Sequence, residues 1–119
     1  MKVIVAGMRD FTDEAVVKEA IANSGFEITE HVNGGAAGVD AIALNWAVEN
    51  KIPVKIFPAD WKQYGLAAGP IRNRQMAEYA EALVAVWDGE SKGTKNMIET
   101  ATKLGLKVFI EFTKPNENP

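Results

Sequence analysis

The sequence predicts an α/β domain in which five parallel strands form one sheet with helices on both faces. Three observations carry that reading. Short runs rich in Val and Ile recur through the 119 residues, each too short for a helix. Between them lie stretches whose apolar residues repeat at helical spacing. The junctions from strand to helix are polar turns, several with glycine, as right-handed crossovers between parallel strands require.

In chain order, Lys2–Ala6 reads as a buried strand and Gly7-Met8-Arg9-Asp10 as its turn. Thr12 is the expected N-cap of the first helix, with Asp13 and Glu14 favourable to the dipole in its first turn. Val16, Val17, Ala20 and Ile21 share one face, and Asn23-Ser24-Gly25 stops the helix. A second strand over Glu27–Asn33 leads into Asn33-Gly34-Gly35-Ala36-Ala37-Gly38-Val39-Asp40. A helix follows from about Val39 to Asn50, with Ile42, Ala43, Trp46 and Ala47 as its apolar stripe. Ile52–Phe57 is the third strand, its Pro53 placed where a missing donor matters least. Pro58–Gly65 reads as a long polar-aromatic connection, and Gly69-Pro70 opens a helix running to about Tyr79.

The fourth strand, Ala82–Trp87, ends at Asp88-Gly89-Glu90-Ser91-Lys92-Gly93-Thr94. There a phosphate-sized turn meets the N-terminus of a helix, with Thr94 able to cap it. That helix carries Met97, Ile98, Ala101 and Leu104, Gly105 ends it, and Lys107–Phe112 is the fifth strand. Residues 1–112 are expected to form a single domain and 113–119 a flexible tail. The pattern is that of a Rossmann-like three-layer α/β/α sandwich, whose ligands bind outside the carboxyl ends of the strands.

Composition narrows the function. At this length roughly two-thirds of the unfolded surface is buried on folding, enough for a core without staples. There are no cysteines and one histidine, so a disulfide framework is excluded and a metal site is not expected. The first apolar run is too short for a signal peptide, and no segment is long enough to span a membrane. The expected location is the cytoplasm. A net charge of −3 argues against a nucleic-acid binder driven by phosphate neutralisation. The first 60 residues hold 5 basic against 9 acidic side chains and the remainder 8 against 7, so a small anion on the second half remains compatible.

Candidate ligand contacts fall at the strand-to-helix turns. Gly7 and Arg9 follow the first strand, and the Arg9 fork suits phosphate or carboxylate. Gly34, Gly35 and Gly38 allow close backbone approach to phosphate or ribose, or simply a tight turn; their spacing is not GxGxxG, and no Walker A motif is present. Asp40 could accept from a ribose hydroxyl or serve as a first-turn acid. In Gly69–Met76, helical projection puts Asn73 on the line of Met76, Ala77 and Ala80, facing inward, with Arg72 beside it. Arg74 instead shares a face with Glu78. Asp88 could contact a ligand or bond its own loop, while Ser91, Gly93 and Thr94 form the phosphate-sized turn. Trp61, Tyr64 and Trp87 could stack on a base, Trp46 reads as core and His31 as structural. Asp88 and Asp40 are the acids a catalytic role would use.

The motifs Val5–Phe11, Gly34–Asp40, Phe57–Trp61, Gly69–Met76 and Trp87–Thr94 together resemble the SLOG superfamily, nearest its YspA/YpsA-related branch. The resemblance spans Lys2 to about Phe112. It implies a Rossmann-like domain that recognises nucleotides or nucleotide-derived small molecules; no cofactor is expected. The LOG phosphoribohydrolases, which cleave the N-glycosidic bond of nucleoside monophosphates, carry Pro-Gly-Gly-x-Gly-Thr followed closely by two glutamates. Here Lys95 and Asn96 follow Gly93-Thr94, and Glu99 comes about a turn too late. The expected function is therefore binding or sensing of a nucleotide or phosphoribosyl-type ligand at the carboxyl edge of the sheet. The alternatives are an N-glycosidase or phosphoribohydrolase, and a DprA-like helper on single-stranded DNA, which the acidic balance disfavours. A homo-oligomer is compatible with the family pattern.

Overall fold

A computed structural model describes residues 1–114; the remainder of the expected tail, 115–119, lies outside the described residues. The strands are β1 (Lys2–Gly7), β2 (Glu30–Asn33), β3 (Val54–Ile56), β4 (Ala82–Trp87) and β5 (Lys107–Phe112). They alternate with helices α1 (Glu14–Ser24), α2 (Val39–Glu49), α3 (Trp61–Tyr64), α4 (Ala68–Tyr79) and α5 (Lys92–Lys103). All neighbouring strands pair parallel in the order β3-β2-β1-β4-β5, so the α/β fold and its five-stranded parallel sheet stand as expected.

The period-2 alternation of the central strands builds the layers. Val3 and Val5 of β1, with Val84 and Val86 of β4, pack on Val17, Ala20 and Ile21 of α1 and on Val39 and Ala43 of α2. Ile4, Ala6, Leu83 and Ala85 point the other way, onto Met76 and Ala77 of α4 and Met97 and Ala101 of α5. Trp46 packs, half-buried, against the first of these layers.

Several boundaries differ from expectation, each for a local reason. Asp13, not Thr12, caps α1: its carboxylate accepts from the N–H groups of Ala15 and Val16 at 3.1 and 3.3 Å. Gly25 closes that helix at φ 70°. The second and third strands shrink to Glu30–Asn33 and Val54–Ile56, the lengths over which they find ladder partners. The Pro58–Gly65 connection contains α3, capped by Asp60, and a following turn of 3-10 helix over Gly65–Ala67. Helix α4 starts at Ala68, so Gly69 and Pro70 lie inside its first turn, where Pro has no bond to lose. Ser91 rather than Thr94 caps α5, its Oγ accepting from the Thr94 N–H at 3.5 Å. Leu104 leaves the stripe as the C-cap and is partly exposed.

Candidate functional site

The chain leaves β1 towards β2 on one side and leaves β4 towards β5 on the other, so the carboxyl ends of β1 and β4 flank the switch point of the sheet. A cleft of about 710 Å³ opens there, within the range of small-molecule sites. Gly7 and Arg9 enter it from β1, Asp40 from α2, Arg72 and Asn73 from α4, and Asp88, Ser91, Gly93 and Thr94 from the end of β4 and the start of α5.

Gly34, Gly35 and Gly38 are not among the lining residues, and at Gly34 and Gly38 the structure shows a packing role. A Cβ on Gly34 would meet Arg72 Nη1 at 2.7 Å and Asp40 Oδ2 at 2.8 Å. One on Gly38, at φ +72°, would sit 2.2 Å from the Met8 carbonyl oxygen. That carbonyl also accepts from the Val39 N–H at 3.1 Å, which ties the start of α2 to the turn after β1. The glycines let polypeptide approach polypeptide here.

Beneath this turn lies a buried polar support. His31 bridges the Val3 carbonyl through Nδ1 and the Asn33 side chain through Nε2, at 3.4 and 2.9 Å. A carbonyl only accepts, so Nδ1 carries the proton and Nε2 accepts from Asn33 Nδ2. Burial holds His31 down to about 4, keeping it neutral. Asn33 also donates to the Asp40 carbonyl at 2.8 Å, and its Oδ1 accepts from the Gly35 N–H at 2.7 Å.

Asp40 is 5% exposed and accepts from the Ala36 N–H at 3.2 Å. Burial raises its pKa, against the pull of that N–H and of Arg72 and Arg9. Arg72 is 8% exposed; its Nη1 donates to the Gly34 carbonyl and its Nε to Asn73 Oδ1 at 3.1 Å. Asn73, 6% exposed, donates onward from Nδ2 to Asn96 Oδ1 at 2.9 Å. Helical projection therefore placed Asn73 and Arg72 inward and Arg74 outward, where Arg74 pairs with Glu78 at 3.1 Å. What projection missed is that the Arg72 fork is half spent on the protein itself.

The loop after β4 is built differently. Asp88 Oδ1 accepts from the N–H groups of Glu90 and Ser91, both at 2.8 Å, and these bonds lower its pKa. Trp87 Nε1 donates to the Ser91 carbonyl at 3.1 Å, and the hydroxyls of Ser91 and Thr94 lie 3.1 Å apart. A Cβ on Gly93 would meet nothing within 4 Å.

At the mouth, the exposed Arg9 guanidinium stacks 5.1 Å from the ring centre of Trp61. The Trp61 ring lies against the bare backbone of Gly69, where a Cβ would be 3.4 Å away. The sequence singled out Trp61 as a possible stacking surface, but it gave no reason to include Ala36, Leu66, Lys92 or Asn96, which also line the cleft. Among the described residues no cluster of three or more metal-ligating side chains occurs, and no helix is long and apolar enough to cross a membrane.

Comparison with known proteins agrees with this architecture. The chain is 32% identical over 124 residues to the Gene 61 protein of Mycobacterium phage D29, covering 96% of this chain and 98% of that one. Its fold resembles that of DNA processing protein A (DprA) from Streptococcus pneumoniae, with a TM-score of 0.73 at 20% identity over 92% of this chain. The match takes in 49% of the DprA chain, so this chain spans about half its length. Residues 1–64, from β1 through the turn packed beneath the cleft to the aromatic helix at its mouth, match the model of the YspA, cpYpsA-related SLOG family, and to that family the chain belongs.

Proposed function

We propose that the protein binds a nucleotide or nucleotide-derived small molecule in the cleft at the carboxyl edge of the sheet. The observation that carries this reading is Arg72, a guanidinium 8% exposed yet lining a cleft of about 710 Å³. A cation held that deep is costly unless acceptors meet it; the protein supplies them to Nε and Nη1, and Nη2, unbonded among the described residues, is left for a ligand. Beside it, Ser91, Gly93 and Thr94 bring the N-terminus of a 12-residue helix to the same space. Arg9 and Trp61 at the mouth supply a second cation and an aromatic face suited to a base. A phosphate in the turn and a base near Trp61 would use both ends.

The test is calorimetry with a panel of nucleoside monophosphates on the wild type and on Gly93→Asp. The substituted side chain has open space around it, so the fold should survive while its charge repels phosphate. Unchanged affinity in the folded variant would sink the proposal. A competing single-stranded oligonucleotide in the same titration tests the DNA reading.

One observation favours catalysis as a second reading. Asp40 is a buried carboxyl in the cleft with a raised pKa, the profile of a general acid for glycosidic cleavage. Asp88 is the weaker candidate, since its carboxylate organises its own loop. Base release from nucleoside monophosphates, abolished by Asp40→Asn, would establish hydrolysis; we expect release to be weak or undetectable.

A further inference from the structure

The polar chain on the cleft floor runs in one direction only. Arg72 can only donate, so its Nε, at 3.1 Å, faces the oxygen of the Asn73 amide. With that oxygen taken, Asn73 turns Nδ2 to Asn96 and donates to Oδ1 at 2.9 Å. Asn96 has then used its side-chain acceptor inside the protein and keeps the two hydrogens of Nδ2. These have no partner among the described residues, and Asn96 lines the cleft. The cationic end is just as one-sided. Arg72 binds the protein through Nε and Nη1, and its Nη2 is unbonded among the described residues.

We infer that Asn96 is a specificity-determining residue: its Nδ2 and Arg72 Nη2 are two unspent donors on this side of the cleft floor, apart from the Asp40 carboxyl that also lines the cleft, so the group seated on them is an acceptor-only oxyanion, phosphoryl or carboxylate. A hydroxyl or amine gains less, because its own hydrogens meet donors. The inference rests on the cleft being the ligand site proposed above and names the residue that selects the ligand's charged end. Substituting aspartate at 96 preserves shape and keeps an oxygen for Asn73. Its second oxygen, however, turns a donor into a negatively charged acceptor.

The experiment is titration calorimetry of wild type, Asn96→Asp and Asn96→Ala with AMP, adenosine and inorganic phosphate, each variant's fold checked by thermal melting. Wild type should bind AMP more tightly than adenosine. Asn96→Asp should weaken AMP by about 30-fold or more and Asn96→Ala by about 10-fold, the scale of a hydrogen bond to a charged group, while adenosine is unaffected. A parallel loss with inorganic phosphate assigns the floor to any phosphoryl group, and a loss with AMP alone to the nucleotide's. If Asn96→Asp binds AMP as tightly as wild type, or loses adenosine equally, this inference falls and the proposed function stands. If wild type binds none of the three, both fall. Should Asn96→Asp fail to fold, an unchanged AMP affinity in Asn96→Ala overturns the inference by itself.

Discussion

Two turns of this protein look alike in sequence and do opposite things. Asn33–Asp40 and Asp88–Thr94 each follow a strand, carry glycine and open a helix. The first is closed. Its glycines admit other parts of the protein, and its polar groups are tied to His31, Asn33, Asp40 and Arg72. The second is open, with free space around Gly89 and Gly93 and a loop held by its own Asp88, Trp87 and Ser91. The lesson is that glycine marks close approach without saying what approaches.

Substitution at the two turns should separate them most sharply. Gly38→Ala puts a Cβ 2.2 Å from the Met8 oxygen at a φ of +72°. It should cost about 3 kcal/mol or more of stability, read by urea unfolding. A cost near zero would mean that the first turn is as open as the second.

Acid should divide them next. His31 is held down to about 4 in the folded protein, against 6.5 unfolded. Its neutral form supports the closed turn, so its contribution is complete above pH 6.5 and falls away between 6.5 and about 4. By linkage that loss approaches about 3 kcal/mol. Asp40, with its raised pKa, protonates earlier in the native state and offsets part of it. Asp88 shifts downward and keeps its charge over this range, so the open turn is spared. Unfolding measured from pH 7 to 4 on wild type and His31→Gln checks this: the variant should show the shallower dependence.

Gly93→Ala, inside α5 with nothing near its Cβ, should raise stability by about 0.5–1 kcal/mol by relieving the helix of glycine's entropy. Thermal melting reads it, and destabilisation would show that this turn too is closed. The smallest effect belongs to Arg74→Ala, which breaks an exposed pair with Glu78 and should cost at most about 0.5 kcal/mol. AMP affinity should be unchanged, because Arg74 points away from the floor on which its neighbour Arg72 lies.

Local rules carried some parts of this molecule and not others. Strand and helix identities followed from pattern because the central strands, buried on both faces, read as short apolar runs, while the helices show an apolar stripe towards the sheet. The inward turn of Asn73 followed from the spacing of Met76, Ala77 and Ala80. Caps were missed by one or three residues, Asp13 for Thr12 and Ser91 for Thr94, since neighbouring side chains compete for the same N–H groups. Helix α3 was read as a connection because four residues carry too little pattern. Asn96 was noticed only as a departure from the glutamate pattern. Its bond to Asn73, 23 positions away, depends on how α5 packs against α4, and no local spacing encodes that distance.

Strand order also governs how the molecule can be assembled in time. β1 lies between β2 and β4, and its register with β4 joins Val3 to Ala82 and Gly7 to Val86. The layer beneath α1 and α2 is incomplete until Ala82, Val84 and Val86 arrive. A chain emerging from its N-terminus can therefore form the β1–β2 pair and lay α1 and α2 on Val3 and Val5 early, but must leave the other edge of β1 unpaired across nearly eighty residues. Closing so long a loop before its contacts can repay the entropy places the barrier at the docking of β4. Folding should then be slow for a protein this small, with β4 as its last central piece and the cleft, which lies between β1 and β4, appearing only at that step.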